Sequence, residues 1–263
     1  MKISVLMDNT PSRDGFLFEH GLSLYLETEG RRILFDMGQS KGFQRNAEML
    51  HINLARVELA VLSHGHYDHG GGLETFLQIN PQAPVYVSRY AFEPCYSGAE
   101  RYIGLQPSLA TNQRLRRTGE VQILSDALSL HACNDQPRPY RMEGEGLFAL
   151  RDGQLIPDDF RHEQYLLIRE GGRRIVISGC SHKGVENIVE WLKPDVLVGG
   201  FHWMKIDPQG PRRAALEAAA DRLLAKPVQY YTCHCTGLAQ YAALKPRMGD
   251  RLTYLAAGAQ VEI

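Results

Sequence analysis

Residues 63–72 read SHGHYDHGGG, and this stretch is the most informative part of the chain. It holds four potential metal ligands within six positions: His64, His66, Asp68 and His69. It follows the apolar run VELAVL (57–62), which is typical of a buried strand. A turn after such a strand points successive side chains in different directions. The first two histidines can therefore meet at one point and the Asp–His pair at a second. Imidazole and carboxylate groups suit divalent metals, so the stretch predicts a metal site.

Composition limits the classes of protein to consider. The 263 residues are 44% hydrophobic and 22% charged, which is ordinary for a globular protein and leaves room for one large domain or two small ones. A net charge of -1 gives no reason to expect binding to nucleic acid or to a membrane surface. We find neither a run of 18 apolar residues nor a signal-peptide pattern in MKISVLMDNT. The prediction is a cytoplasmic protein; nothing indicates its oligomeric state.

The cysteines are odd in number, which argues against a complete disulfide framework. They are Cys95, Cys133, Cys180, Cys233 and Cys235. In a reducing compartment they are expected to be free thiols.

Short β-branched runs alternate with stretches of helical period along the chain, which indicates a mixed α/β fold. Two units look alike: LYLETEGRRILFDMG (24–38) and YLLIREGGRRIVISGC (165–180) are each a strand, a tight turn and a second strand. They indicate either two similar halves or simply two hairpins with charged turns.

Residues 88–120 differ from the rest of the chain, because they are rich in Tyr, Arg, Gly and Pro and show no clear period. The segment is expected to be a long loop with one short helix. It is either a lid beside the ligand turn or a plain surface excursion. In the first case Arg101 would meet an anionic group of the substrate and Tyr102 would supply flat apolar surface.

The motif HGHYDH resembles the HxHxDH signature of the metallo-β-lactamase superfamily, and ILFDMG (33–38) resembles the strand of that family that ends in Asp-x-Gly. The blocks SGCSHKGVENI, GGFH and HCTG extend the likeness to the subgroup named for dihydropterin–ribofuranosylaminobenzene phosphate synthase. The resemblance implies a single domain over residues 1–263. It also implies an αββα sandwich, in which two mixed β-sheets lie face to face with helices outside.

The resemblance also implies two metal subsites. His64 and His66 would belong to the first, and Asp68, His69 and His234 to the second. Asp36 would accept a hydrogen bond from a ligand histidine and so fix its tautomer. Met37 stands where the family more often has threonine.

Two ligand positions stay open. Cys180 stands where many members have a carboxylate that bridges both metals; it is either a thiolate ligand or a small buried residue. The third ligand of the first subsite is His182, which we favour, or His162. His20 and His202 match subgroup blocks and are expected to line the substrate pocket.

The cofactor expected is one or two divalent metal ions, zinc first, with iron or manganese as alternatives. The substrate would be a small molecule, phosphorylated or pterin-like. One hypothesis is a hydrolase of an ester, lactone or phosphoester, with Asp68 steering water and accepting its proton. A second is a transferase like the subgroup's namesake, in which metals hold a diphosphate leaving group. A third is an iron-dependent redox protein.

Overall fold

The computed structural model describes residues 1–140 and 146–263. Within these ranges there are six α-helices: α1 (Gly42–Met49), α2 (Tyr67–Gly70), α3 (Leu73–Ile79), α4 (Val185–Leu192), α5 (Arg213–Leu224) and α6 (Leu238–Met248). The first nine strands of the same ranges are β1 (Lys2–Met7), β2 (Ser23–Thr28), β3 (Arg31–Phe35), β4 (Leu59–Val61), β5 (Val85–Ser88), β6 (Cys95–Ser97), β7 (Arg101–Tyr102), β8 (Leu115–Thr118) and β9 (Val121–Ile123). The remaining nine are β10 (Leu128–His131), β11 (Leu147–Arg151), β12 (Gln154–Pro157), β13 (Tyr165–Glu170), β14 (Arg173–Ile177), β15 (Val196–Gly199), β16 (Gln229–Thr232), β17 (Leu252–Tyr254) and β18 (Gln260–Glu262).

The described strands form two seven-stranded sheets with matching topology. Their orders are β18-β1-β2-β3-β4-β5-β8 and β9-β10-β13-β14-β15-β16-β17. In each order the first three pairings are antiparallel and the last three are parallel. The similar segments 24–38 and 165–180 therefore occupy equivalent places in two halves that share one strand order.

The two look-alike hairpins have turns of the same kind. Glu29 and Gly30 have φ values of 49° and 71°, and Gly171 and Gly172 have 59° and 76°. Positive φ at both central residues is typical of a type I′ turn. The twist of this turn matches that of the two strands that it joins in a hairpin. Glycine at three of these four positions explains why the chain reverses there.

Three apolar clusters define the layers of the fold. The cluster between the sheets takes side chains from both, such as Leu24 and Ile33 from the first and Ile168 and Val198 from the second. A second cluster joins helices α4, α5 and α6 to the outer face of the second sheet. A third joins α1 and α3 to the outer face of the first. The predicted αββα sandwich is therefore confirmed.

Residues 88–120 are more regular than the sequence indicated. They contain β6, β7, β8 and a 3₁₀ turn at 107–111, and β6 and β7 join a small four-stranded sheet, β12-β11-β6-β7. The segment lies against the ligand turn: the Tyr67 N–H donates to Ile103 O at 2.9 Å. A Cβ added at Gly65 would lie 2.3 Å from Ala91 O, so this close approach requires glycine. None of the helices described above is long and apolar enough to cross a membrane.

The packing predicts unequal effects for two isoleucines. Ile168 is fully buried between the sheets, whereas Ile123 is 64% exposed on the edge strand β9. Ile168→Ala should lower the free energy of unfolding by about 2–5 kcal/mol, because it removes core contacts and leaves a cavity. The matched control Ile123→Ala should change it by about 0.5 kcal/mol or less. Urea denaturation checks this, and equal effects would contradict the layer assignment.

Candidate metal centre

The candidate ligands follow strands that end at one edge of the sandwich. Asp36 follows β3, the ligand turn follows β4, Cys180 and His182 follow β14, and His234 follows β16. These strands belong to the parallel part of each sheet, so their carboxyl ends point to the same edge. Residues far apart in sequence and from both sheets thus meet there.

The first group of ligands contains His64, His66 and His182. One potential ligand atom from each lies within 4.8 Å of the others. The Nε2 atoms of His64 and His182 are 3.3 Å apart. Phe160 stacks on the His182 ring with centroids 4.5 Å apart.

The second group contains Asp68, His69, Cys180 and His234. His69 Nε2 lies 3.1 Å from Cys180 Sγ and 3.2 Å from His234 Nε2. Cys180 therefore sits beside the histidines of the second group, while His182 sits with the first.

Neighbouring acceptors fix the tautomers of three histidines. Asp36 Oδ2 accepts from His69 Nδ1 at 2.7 Å. The Ser63 hydroxyl donates to the same carboxylate at 2.7 Å, so its oxygen is free to accept from His64 Nδ1 at 2.8 Å. Asn9 Oδ1 accepts from His234 Nδ1 at 2.7 Å. In neutral imidazole only one ring nitrogen carries a proton, so each of these rings, when neutral, has its lone pair on Nε2. Burial disfavours charge on His69, but Asp36 and Asp68 outweigh it and raise its pKa to about 9, so this ring must lose a proton in order to bind metal.

This arrangement fits a metal ion. The Nε2 atoms of His69 and His234 are 3.2 Å apart, and those of His64 and His182 are 3.3 Å apart. Two nitrogens bound to zinc at about 2.0–2.1 Å and the tetrahedral angle lie about 3.3–3.4 Å apart. The donor set of imidazoles, one carboxylate and one thiol also suits zinc or iron.

Electrostatics keeps most donors in the form that binds metal. Burial, with help from nearby histidines, lowers the pKa of His64 well below its usual range and that of His66 to about 3. Burial opposes ionisation of Asp68, but the neighbouring His69, His20 and His234 rings outweigh it and lower its pKa. Burial raises the pKa of the Cys180 thiol, so that thiol needs a bound cation in order to ionise.

His162 lies close to the ligand turn but makes other contacts. Its Nδ1 accepts from the Gly65 N–H at 3.1 Å, and its Nε2 lies 3.0 Å from Asp158 Oδ2. Both ring nitrogens are thus engaged, with Nε2 donating to the carboxylate. Its ring belongs to a separate buried group with His66, Cys95 and Asp158. Of the two candidates for third ligand, His182 is the one that meets both His64 and His66.

A pocket of about 440 Å³ opens onto both groups. Its lining comprises His20, His66, Tyr67, Asp68, Ser97, Arg101, Ile103, Leu147, Cys180, His182, His202, Met204, Lys205, His234 and Cys235. His20 Nε2 lies 3.3 Å from Asp68 Oδ2, and the His202 ring centroid is 4.2 Å from that of His182. Both histidines line the pocket.

Arg101 and Tyr102, the two residues of 88–120 that were expected to contact the substrate, differ in their position relative to the pocket. Arg101 lines the pocket and donates to the Tyr67 hydroxyl at 2.9 Å. The Tyr102 hydroxyl instead donates to Leu105 O at 2.6 Å, and the pocket lining does not include it. The remaining aromatic residues of the segment pack on arginines or on each other; Phe92, for example, lies under Arg117.

Sequence reasoning missed several supporting residues. The Asp8 carboxylate accepts from the His234 N–H at 2.6 Å, beside the Asn9 contact described above. Both follow the apolar strand β1 directly, as Asp36 follows β3, so the same signal could have found them. Ser63 and Lys205 were also missed.

A family model described as the metallo-beta-lactamase superfamily matches residues 18–224. The uncharacterized protein MJ0448 of Methanocaldococcus jannaschii is 30% identical over 246 residues, which cover 89% of this chain and 90% of that protein. From the same organism, 7,8-dihydropterin-6-methyl-4-(beta-D-ribofuranosyl)-aminobenzene-5'-phosphate synthase is 28% identical over 250 residues, covering 84% and 82%. The crystal structure of Tm1679, a metal-dependent hydrolase of the beta-lactamase superfamily, superimposes with a TM-score of 0.83 at 29% identity, covering 100% of this chain and 99% of that one.

The hydrogen bonds of Asp36 lead to the first site prediction. Asp36→Asn should weaken metal binding about 10–100-fold, because an amide replaces the anion that accepts from His69 and orients it. Competition with a chromophoric chelator measures the affinity. The control is Asp14→Asn, a change of an exposed carboxyl, which should leave the affinity unchanged. An Asp36→Asn protein with wild-type affinity would refute the role given to this carboxylate.

A second prediction separates the two candidate ligands. His182→Ala should remove one equivalent of bound metal, because the first group then keeps only two of its histidines. His162→Ala should keep full metal content at saturating metal and show only weaker affinity. Elemental analysis after dialysis at several metal concentrations checks both. Full content in His182→Ala would show that another residue completes the group.

Proposed function

Because the chain belongs to the metallo-β-lactamase superfamily, we propose that it is a metal-dependent hydrolase that cleaves an ester, lactone or phosphoester bond of an anionic small molecule. The observation that carries the proposal is the convergence of the two ligand groups on one pocket that also contains the Arg101 and Lys205 side chains. The likeness to Tm1679 over its whole length supports it.

The residues that would hold metal are His64, His66 and His182 in the first group and His69, His234, Asp68 and Cys180 in the second. A divalent ion supplies Lewis acidity there: it makes water a nucleophile near neutral pH and polarises the bond to be cleaved.

Asp68 is the proposed proton acceptor. Its Oδ2 lies 3.4 Å from His234 Nε2 and 3.3 Å from His20 Nε2, and these contacts keep the carboxylate ionised. A group in this state can orient a water molecule and take its proton. The His20 side chain, which is 43% exposed, lies against this carboxylate.

The pocket walls favour a substrate with an anionic group and an apolar part. Arg101 presents a guanidinium group at one wall, held against the Tyr67 ring at 5.7 Å. Guanidinium binds phosphate or carboxylate through paired hydrogen bonds. Ile103, Leu147 and Met204 supply apolar surface. We therefore place the anionic group at Arg101 and the scissile bond at Asp68.

A second candidate is a transferase that joins a pterin-methyl diphosphate to an arylamine. It is favoured by the 28% identity to the Methanocaldococcus synthase over 84% of this chain. In that reaction the ligand groups would hold the diphosphate leaving group, and Asp68 or His20 would take the amine proton. Measuring product formation from the pterin-methyl diphosphate in the presence and in the absence of the arylamine distinguishes the two candidate functions.

The hydrolase proposal predicts a metal requirement and a role for Asp68. Protein purified without added metal should contain one or two equivalents of zinc, iron or manganese by elemental analysis. Activity against a panel of phosphoesters and lactones should vanish in chelator and return with metal. Asp68→Asn should lower kcat about 10²–10⁴-fold, because it removes the proton acceptor. Full activity of metal-free wild type would overturn the proposal.

Substrate selection gives a separate prediction. Arg101→Ala should raise KM for anionic substrates more than for neutral ones and leave bound metal unchanged. Arg116→Ala is the matched control, since Arg116 is exposed on β8 and outside the pocket lining. Steady-state kinetics across the panel decide the matter; a uniform effect on all substrates would rule out recognition of the anion by Arg101.

A further inference from the structure

Three consecutive polar residues lie buried between the loops that carry the first ligand group. His162, Glu163 and Gln164, here termed the linking segment, are each 0% exposed and directly precede β13. Buried polar groups are costly unless their hydrogen bonds are satisfied. The partners of these residues therefore show what the segment holds in place.

The outer two residues hold the loop after β4. His162 accepts from the Gly65 N–H, between the ligands His64 and His66. The Gln164 N–H donates to Ser63 O at 2.7 Å, and its side-chain amide donates to Leu62 O at 2.8 Å. Three hydrogen bonds thus attach this segment to Leu62, Ser63 and Gly65, at the end of β4 and the start of the ligand turn.

The middle residue holds the loop after β14. One carboxylate oxygen of Glu163 accepts from the His182 N–H at 2.7 Å. The other accepts from the Lys183 N–H at 3.1 Å and from the Tyr165 hydroxyl at 2.5 Å. A carboxylate accepts at both oxygens, so all three donors are satisfied at once.

The second ligand group has supports of its own: Asp36 holds His69, and Asn9 holds His234. Within the two loops that carry the first group, one from each sheet, the linking segment bonds to positions 62, 63, 65, 182 and 183, next to the histidines of that group.

We propose that the linking segment positions the first ligand group: it fixes His64 and His66 relative to His182 and thereby sets metal affinity at that group without supplying a ligand. The inference rests on the metal centre proposed above.

Glu163→Gln tests this with little change in size. The amide keeps one acceptor oxygen, but its NH₂ group then faces the backbone N–H of either His182 or Lys183, so one contact to the ligand loop is lost. The variant is made in a His234→Ala protein, which retains the first group, and in a His182→Ala protein, which retains the second. Competition with a chromophoric chelator gives the Zn²⁺ Kd of each.

The expected result is selective. Glu163→Gln should raise Kd about 10–100-fold in the His234→Ala protein and leave it within about twofold in the His182→Ala protein. Asn9→Ala is the reciprocal control and should weaken only the second group. Equal effects of Glu163→Gln on both groups, or none, would overturn the inference. Failure of the wild type to bind Zn²⁺ would instead refute the metal centre itself.

His162 gives an independent variant if Glu163→Gln does not fold. In the His234→Ala protein, His162→Leu removes the acceptor for the Gly65 N–H and should weaken Zn²⁺ binding. His162→Gln restores an acceptor and should recover part of the affinity. Equal Kd values for the two variants would show that only the volume of this side chain matters.

Discussion

The centre depends on one buried carboxylate. Asp36 is 0% exposed and accepts from the His69 ring, the Ser63 N–H and the Ser63 hydroxyl. A buried anion is stable only when it is fully hydrogen-bonded in this way. Its φ of 58° lets the chain leave β3 with the carboxylate turned toward the next strand end. Through Ser63 the same group also sets the tautomer of His64, so one anion orients a histidine of each ligand group.

The sandwich makes this possible because its two sheets repeat one strand order. The parallel strands of both end at the same edge, where the candidate ligands and the acceptor Asp36 follow β3, β4, β14 and β16. Asp36 and Asn9 follow strands of the first sheet, but Asn9 orients a histidine that follows β16 of the second. Contacts of this kind hold the centre together across the interface between the sheets.

Much of this was predictable from the sequence, because a polar cluster directly after an apolar strand marks a strand end where ligands meet. That pattern identified the ligand turn, while the resemblance to the metallo-β-lactamase superfamily gave the role of Asp36 and the αββα sandwich. The pattern could not decide between His162 and His182, because that choice depends on which group forms a hydrogen bond with each ring nitrogen. For His162 that group is a backbone N–H 97 residues away.

Arg101 and Tyr102 were expected together in the pocket, but neighbours on a strand point to opposite faces. The short strands of residues 88–120 have too few residues to show a period.

The division of the first ligand group between two sheets has a consequence for the apolar interior. The separation of His64 and His182 is set by how far apart the sheets stand, and side chains such as Leu24 and Ile168 determine that spacing. Close-packed interiors resist compression and transmit strain. The apolar layer between the sheets therefore sets the spacing of the candidate ligands: a larger or smaller layer would change the ionic radius that fits between them, with every ligand left intact.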